Sequence, residues 1–169
     1  MAFDRMKFVR KFSIEAKEHI EKISNGLMEL EKSPDNTEIL QEIFRSAHTL
    51  KGSARMLKLL DINKIAHKME DLLGMIKERK LPLSAEITDL LLENCDAIDE
   101  CLNAALEQQE SGVNVDDHVA RLEKAMKKEP FQLKAARQKA AEASSHEQAA
   151  PPPVVARLRQ RVPQPGSLS

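Results

Sequence analysis

The sequence predicts an all-α protein, an antiparallel up-and-down four-helix bundle with one additional C-terminal helix. Three observations carry this expectation. The chain is rich in Leu, Ala, Glu, Lys, Ile and Met and has no Trp or Tyr, a composition of good helix formers. No stretch alternates β-branched with polar residues as a half-buried strand would. Apolar residues instead recur at intervals of three and four through successive segments separated by short turns, which favours antiparallel neighbours in a bundle.

The first helix is expected from about Asp4 to Lys32, with Val9, Phe12, Ala16, Ile20, Ile23, Leu27 and Leu30 in one buried stripe. Ser33-Pro34-Asp35-Asn36 is a turn by composition. A second helix follows from about Thr37 to Leu59, burying Ile39, Ile43, Ala47, Leu50, Ala54 and Leu57. Asp61 suits the N-cap of a third, running to about Arg79 with Ile62, Ile65, Met69, Leu72, Leu73 and Ile76 inward. Lys80-Leu81-Pro82-Leu83 breaks the pattern, and Ser84 starts a fourth helix that reaches about Glu110. Its inward face is Ile87, Leu91, Cys95, Ile98, Leu102 and Ala105, and Ser111-Gly112 is its expected end. A shorter fifth helix after Asp116-Asp117 carries Val119, Leu122 and Met126 and packs alongside the bundle.

Beyond Glu129 the stripe fades. Phe131 to Ala143 has weak helical character, and the proline clusters at 151–153 and 163–165 belong to a flexible or polyproline-like segment. The expected organisation is therefore a domain over 1–129 and an Ala/Pro-rich flexible linker or tail over 130–169. A linker there suggests the N-terminal piece of something longer, the alternative being a natural disordered tail. Charge divides at the same place. Residues 130–169 hold six basic against two acidic side chains, leaving 20 basic against 25 acidic in 1–129. An acidic body argues against nucleic acid as a partner. No signal-peptide pattern opens the chain, and no apolar run approaches the roughly 18 residues of a membrane span. A cytoplasmic protein without direct membrane insertion is expected. Cys95 and Cys101, six apart on one helix, point in different directions and read as reduced thiols.

The chemistry concentrates in Ala47-His48-Thr49-Leu50-Lys51-Gly52-Ser53-Ala54. His48 lies beside the apolar stripe, on a face with Gln41, Phe44, Arg45, Lys51, Gly52 and Arg55. Residues three and four apart are neighbours on a helix surface, so Lys51 can place its ammonium near a group carried by His48. A phosphoryl group brings negative charge and strong acceptor oxygens, which such a cation holds and screens. Gly52 costs about 1 kcal/mol relative to Ala in a helix interior, and in return leaves clearance for an incoming domain. Phe44, Arg45, Gly52 and Arg55 are the candidate docking residues. On the third helix, Asn63, His67, Glu70 and Gly74 share a face beside the buried stripe. With the two helices antiparallel, Glu70 can accept from the Nδ1–H of His48, fixing the tautomer and leaving Nε2 free for attack. His67 can join by bonding to either partner.

These two segments, the second being Ile65-Ala66-His67-Lys68-Met69-Glu70-Asp71-Leu72-Leu73, resemble the histidine phosphotransfer (HPt) domain of the CheA chemotaxis kinases over about residues 4–128. The resemblance implies a helical bundle whose His48 receives the γ-phosphoryl group of ATP from a separate kinase domain of the same parent protein. It then passes the group to an aspartate of a response-regulator receiver domain. It also implies Lys51 as electrostatic partner and His67 and Glu70 as hydrogen-bonding support, and, through the parent kinase, association with membrane receptor arrays. The chain departs from the family pattern at Ser53, where many members have a second glycine, and at Arg55-Met56-Leu57-Lys58, where a more aromatic, glycine-containing segment is common.

Other readings are weaker. A di-metal carboxylate bundle needs Glu-x-x-His motifs, and the residues three before the five histidines are Ala16, Arg45, Lys64, Val115 and Ala143; no metal site is expected. With no strand there is no glycine-rich nucleotide loop, so the chain alone is a phosphoacceptor that needs no cofactor, and enzyme status belongs to the parent kinase. The alternative is a non-catalytic helical bundle that binds partner helices.

Overall fold

The structure, a computed structural model, describes residues 4–127. The weak helix expected at 131–143, the proline-rich segment and His146 lie outside the described residues. Among the described residues five helices follow one another: α1 (Arg5–Lys32), α2 (Thr37–Met56), α3 (Leu60–Lys77), α4 (Ala85–Leu106) and α5 (Val115–Lys127). The first four form a ring in which each packs on its sequence neighbours and α4 closes back on α1, while α5 lies against α3 and touches α4. The start of α1 meets the end of α2, where the Arg5 Nε donates to the Leu57 carbonyl at 2.9 Å, as the antiparallel arrangement requires.

Side chains just outside the helices start four of them. Asp4, Asn36, Ser84 and Asn114 each accept from the backbone N–H three residues on, satisfying a donor that the first turn leaves unpaired. Leu27, Leu50, Leu73 and Leu102 are among the residues that close the core, and every inward residue expected of α3 is buried. Ile20, Ile39, Leu57, Ala105, Val119 and Met126, expected inside, are half-buried at the margins instead.

Helix boundaries depart from the sequence reading in a consistent way. α2 stops at Met56, α3 at Lys77 and α4 at Leu106, each two to four residues early, and the Ser111-Gly112 pair ends nothing. The terminators are Lys58, Arg79 and Gln108, each with positive φ (57°, 61° and 55°). Behind each lies the paired hydrogen bonding of a Schellman motif: Lys58 N to Arg55 O with Leu59 N to Ala54 O, and the equivalent pairs after α3 and α4. Asp61 is not an N-cap but a first-turn residue; Leu59 holds the cap position without a side-chain bond. Likewise α5 begins at Val115, ahead of Asp116-Asp117, and Asn114 caps it. Apolar periodicity runs through Leu57 and Leu59, so the stripe itself does not betray the break.

A non-glycine residue in the left-handed region costs roughly 1–2 kcal/mol. Arg79→Gly is therefore expected to raise stability, by up to about 1 kcal/mol after the entropy glycine adds to the unfolded chain. Chemical denaturation of the pair checks this, and an unchanged or lowered midpoint would contradict it.

His19, on α1, has its Nδ1 buried without a partner, and burial, followed by the Lys22 charge, holds its pKa below the ordinary value. The unfolded chain then binds a proton more readily than the folded one. Stability should fall as the pH drops below about 6.5 toward the folded-state value, and His19→Gln should remove that part of the slope. Denaturation midpoints across pH 5–8 test it.

Candidate functional site

The site occupies the seam between α2 and α3. His48 and Lys51 stand on the flank of α2 that turns toward α3, and Glu70 stands on the facing flank of α3. The Nδ1 of His48 lies 3.1 Å from Oε2 of Glu70, and the Lys51 ammonium reaches the same oxygen at 2.7 Å. A carboxylate only accepts hydrogen bonds, so this contact requires the proton on Nδ1 and leaves the Nε2 lone pair free. The burial is graded: the His48 side chain is 64% exposed, Lys51 25% and Glu70 14%. Glu70, mostly withdrawn from water, has its charge balanced by Lys51, since an unpaired buried carboxylate is costly. The imidazole meanwhile stands in solvent, where a partner can reach it.

Among the described residues no hydrogen bond joins His67 to His48 or Glu70. Its Nε2 instead faces Asp71 Oδ2 at 3.7 Å on the exposed side of α3, a loose pairing beyond hydrogen-bond range. Three residues along a helix amount to 300° of rotation, so His67 sits about 60° further round from the seam than Glu70. Phe44 is half-covered from within the fold. Its ring lies against Gly74, where an added Cβ would come to 3.5 Å, and the Lys77 ammonium sits 4.7 Å from the ring centroid. The ring thus fills the α2–α3 seam one turn from His48. Arg45 and Arg55 are exposed.

Gly52 has no heavy atom within 4 Å of where a Cβ would stand. It spaces no helix pair and keeps the surface beside His48 low. Two residues add to the expected set. Met56, eight residues from His48 along the row His48, Gly52, Met56, is 84% exposed; an apolar residue off the buried stripe at that spacing was the available signal. Asn63 donates from Nδ2 to the Lys51 carbonyl at 3.0 Å, a contact no spacing rule reports. Among the described residues no group of three or more His, Cys, Asp or Glu is placed to hold a metal. No helix there is long and apolar enough to cross a membrane.

With this geometry in view, comparison with known proteins is decisive for the family. The Hpt domain family model matches residues 7–108. The chain belongs to the Hpt domain family. Its relatives include the chemotaxis protein CheA of Halobacterium salinarum, 38% identical over 96 residues that make up 57% of this chain and 14% of that protein. CheA of Treponema pallidum is 33% identical over 116 residues, 69% of this chain and 14% of its own length. The Hpt chain thus spans about a seventh of either relative. The CheA phosphotransferase domain from Thermotoga maritima superimposes with a TM-score of 0.58 at 28% identity, covering 60% of this chain and 96% of that one. The phosphorylated P1 domain of CheA3 in complex with CheY6 from R. sphaeroides matches with a TM-score of 0.61 at 21% identity, covering 71% and 98%. That second likeness bears on the fold, and confirms the all-helical bundle expected of an Hpt domain.

Proposed function

We propose that this Hpt domain carries a phosphoryl group on His48 between an ATP-binding kinase domain and the aspartate of a receiver domain. The observation that carries the reading is the single Glu70 oxygen shared by the His48 ring and the Lys51 ammonium. In the first step Nε2 attacks the γ-phosphorus of ATP, the bond to the β-phosphate oxygen breaks, and ADP leaves. The ring then holds both the phosphoryl group and the Nδ1 proton. Its positive charge is stabilised by Glu70, and Lys51, one turn on, neutralises the incoming oxygens. In the second step a carboxylate oxygen of the receiver attacks the same phosphorus and the N–P bond breaks, returning neutral imidazole.

The docking surface in this reading is Arg45, Gly52, Arg55 and Met56. Phe44 contributes by holding α2 against α3 more than by touching a partner, and His67 has a peripheral part beside Asp71. The CheY6 complex of the R. sphaeroides P1 domain and the CheA relatives support the receiver and kinase partners. The domain is assigned to 1–129 and the linker to 130–169 of a cytoplasmic CheA-like kinase that acts at receptor arrays.

The test is incubation with a CheA kinase core and labelled ATP, followed by addition of a receiver domain. An acid-labile, base-stable label that leaves the Hpt chain when the receiver is added is expected. A folded chain that takes no label from any donor would leave the partner-binding bundle as the better reading.

A further inference from the structure

We propose that Asn63 is a positioning residue for the phosphoacceptor site, a clamp from α3 that offsets the weakness Gly52 introduces into the last turn of α2; this rests on the phosphoacceptor reading of His48. Gly52 stands in a helix interior with nothing packed against it. It therefore lowers helix propensity relative to Ala without returning any packing. The penalty falls on the turn that carries Lys51, five residues before α2 ends at Met56, close to where helices already fray. If that turn opened, Lys51 would withdraw first, and the Glu70 oxygen that orients the imidazole would lose the cation now 2.7 Å away.

Asn63 is placed to prevent this. Its Nδ2 donates to the Lys51 carbonyl at 3.0 Å, across twelve residues and in a part-buried setting. That carbonyl lies immediately N-terminal to Gly52. Asn63 is itself held, since its own N–H donates to the Leu59 carbonyl at 2.9 Å, and Leu59 N–H closes the end of α2 on the Ala54 carbonyl at 2.8 Å. The donor thus comes from a base tied to the element it steadies. The Phe44 ring against Gly74 holds the other side of the same seam, so His48 and Glu70 are bracketed by one polar and one apolar contact. The glycine that gives a partner access and the asparagine that keeps the site ordered are two halves of one arrangement.

The experiment measures phosphorylation of His48 by phosphoramidate, a small donor that needs no docked domain. Nε2 attacks its phosphorus, the P–N bond breaks and ammonia leaves. Amide exchange of residues 52–57 is followed by NMR in parallel. Asn63→Ala and Asn63→Asp are compared with the unmodified chain. Aspartate keeps the volume and suits the positive end of α3, but at neutral pH it cannot donate. Both variants are expected to slow phosphorylation three- to tenfold and to speed exchange in the last turn of α2. Adding Gly52→Ala to Asn63→Asp should restore both to within about twofold, because a turn without the glycine no longer needs the clamp. A purely structural asparagine would leave the slowed rate of Asn63→Asp as it is when Gly52→Ala is added. Unchanged rates and exchange in either single variant, or loss without rescue, would overturn the proposal. Failure of the unmodified chain to take label would instead count against the phosphoacceptor reading, while the exchange data would still decide whether Asn63 steadies the turn.

Discussion

Glu70→Gln is expected to slow phosphoryl acceptance by His48 on the order of 10–100-fold, with the bundle still folded. The amide keeps the size of the side chain but loses the charge that offsets the ring as it becomes positive. It can also present either oxygen or nitrogen to Nδ1, so it no longer enforces the tautomer. The loss should be smaller than the roughly 10²–10⁴-fold of full general acid–base catalysis, because no proton is transferred from His48 during attack. Glu70→Ala should be at least as slow, and since Glu70 is mostly withdrawn from water, losing its ion pair with Lys51 should also lower stability. Stopped-time labelling beside a melting curve separates the two effects. A folded Glu70→Gln chain with an unchanged rate would show that another group orients the imidazole.

The second large effect concerns a glycine the functional reading passed over. A Cβ on Gly26 would collide with Ile43 Cγ2 and come within 3.3 Å of Ile39 Cγ2. Ile43 is fully buried and its β-branched side chain is stiff, so it cannot step aside cheaply. Gly26→Ala should therefore destabilise by about 1–3 kcal/mol through overpacking, despite gaining about 1 kcal/mol of helix propensity. At roughly 3–6 °C per kcal/mol for a domain of this size, the melting temperature falls by several degrees. Gly52→Ala should move it the other way, since nothing lies near its missing Cβ. Ile43→Leu in the Gly26→Ala background shifts the branch away from Cβ and should recover part of the loss. Equal responses at the two glycines would contradict the distinction between a packing glycine and a clearance glycine.

These two glycines also mark what was legible beforehand. Gly52 reads as a clearance residue from its place on the His48 face, and its surroundings are open. Gly26 sits at the edge of the α1 stripe, and its closeness to α2 depends on which residue α2 sets opposite, a matter of tertiary packing that periodicity does not carry. The inward residues of α3 and the Nδ1–Glu70 contact followed from helix geometry, because residues on facing flanks of antiparallel neighbours must meet. The helix ends did not. Their terminators are Lys58, Arg79 and Gln108, long polar residues in a conformation usually marked by glycine, and the one Gly-containing candidate, Ser111-Gly112, lies beyond the true end of α4. His67 shares a broad face with Glu70 but lies about 60° further round, enough to turn it to Asp71.

In the proposed function Nε2 of His48, freed by the Nδ1 contact to Glu70, is the atom that accepts phosphate. Heteronuclear NMR of the ¹⁵N-histidine-labelled chain after phosphorylation reads the modified nitrogen directly. One phosphorylated ring is expected, bonded through Nε2 with Nδ1 still protonated, with complete loss of that signal in His48→Gln. Phosphate on Nδ1 of His48, or on any other histidine of the unmodified chain, would contradict it.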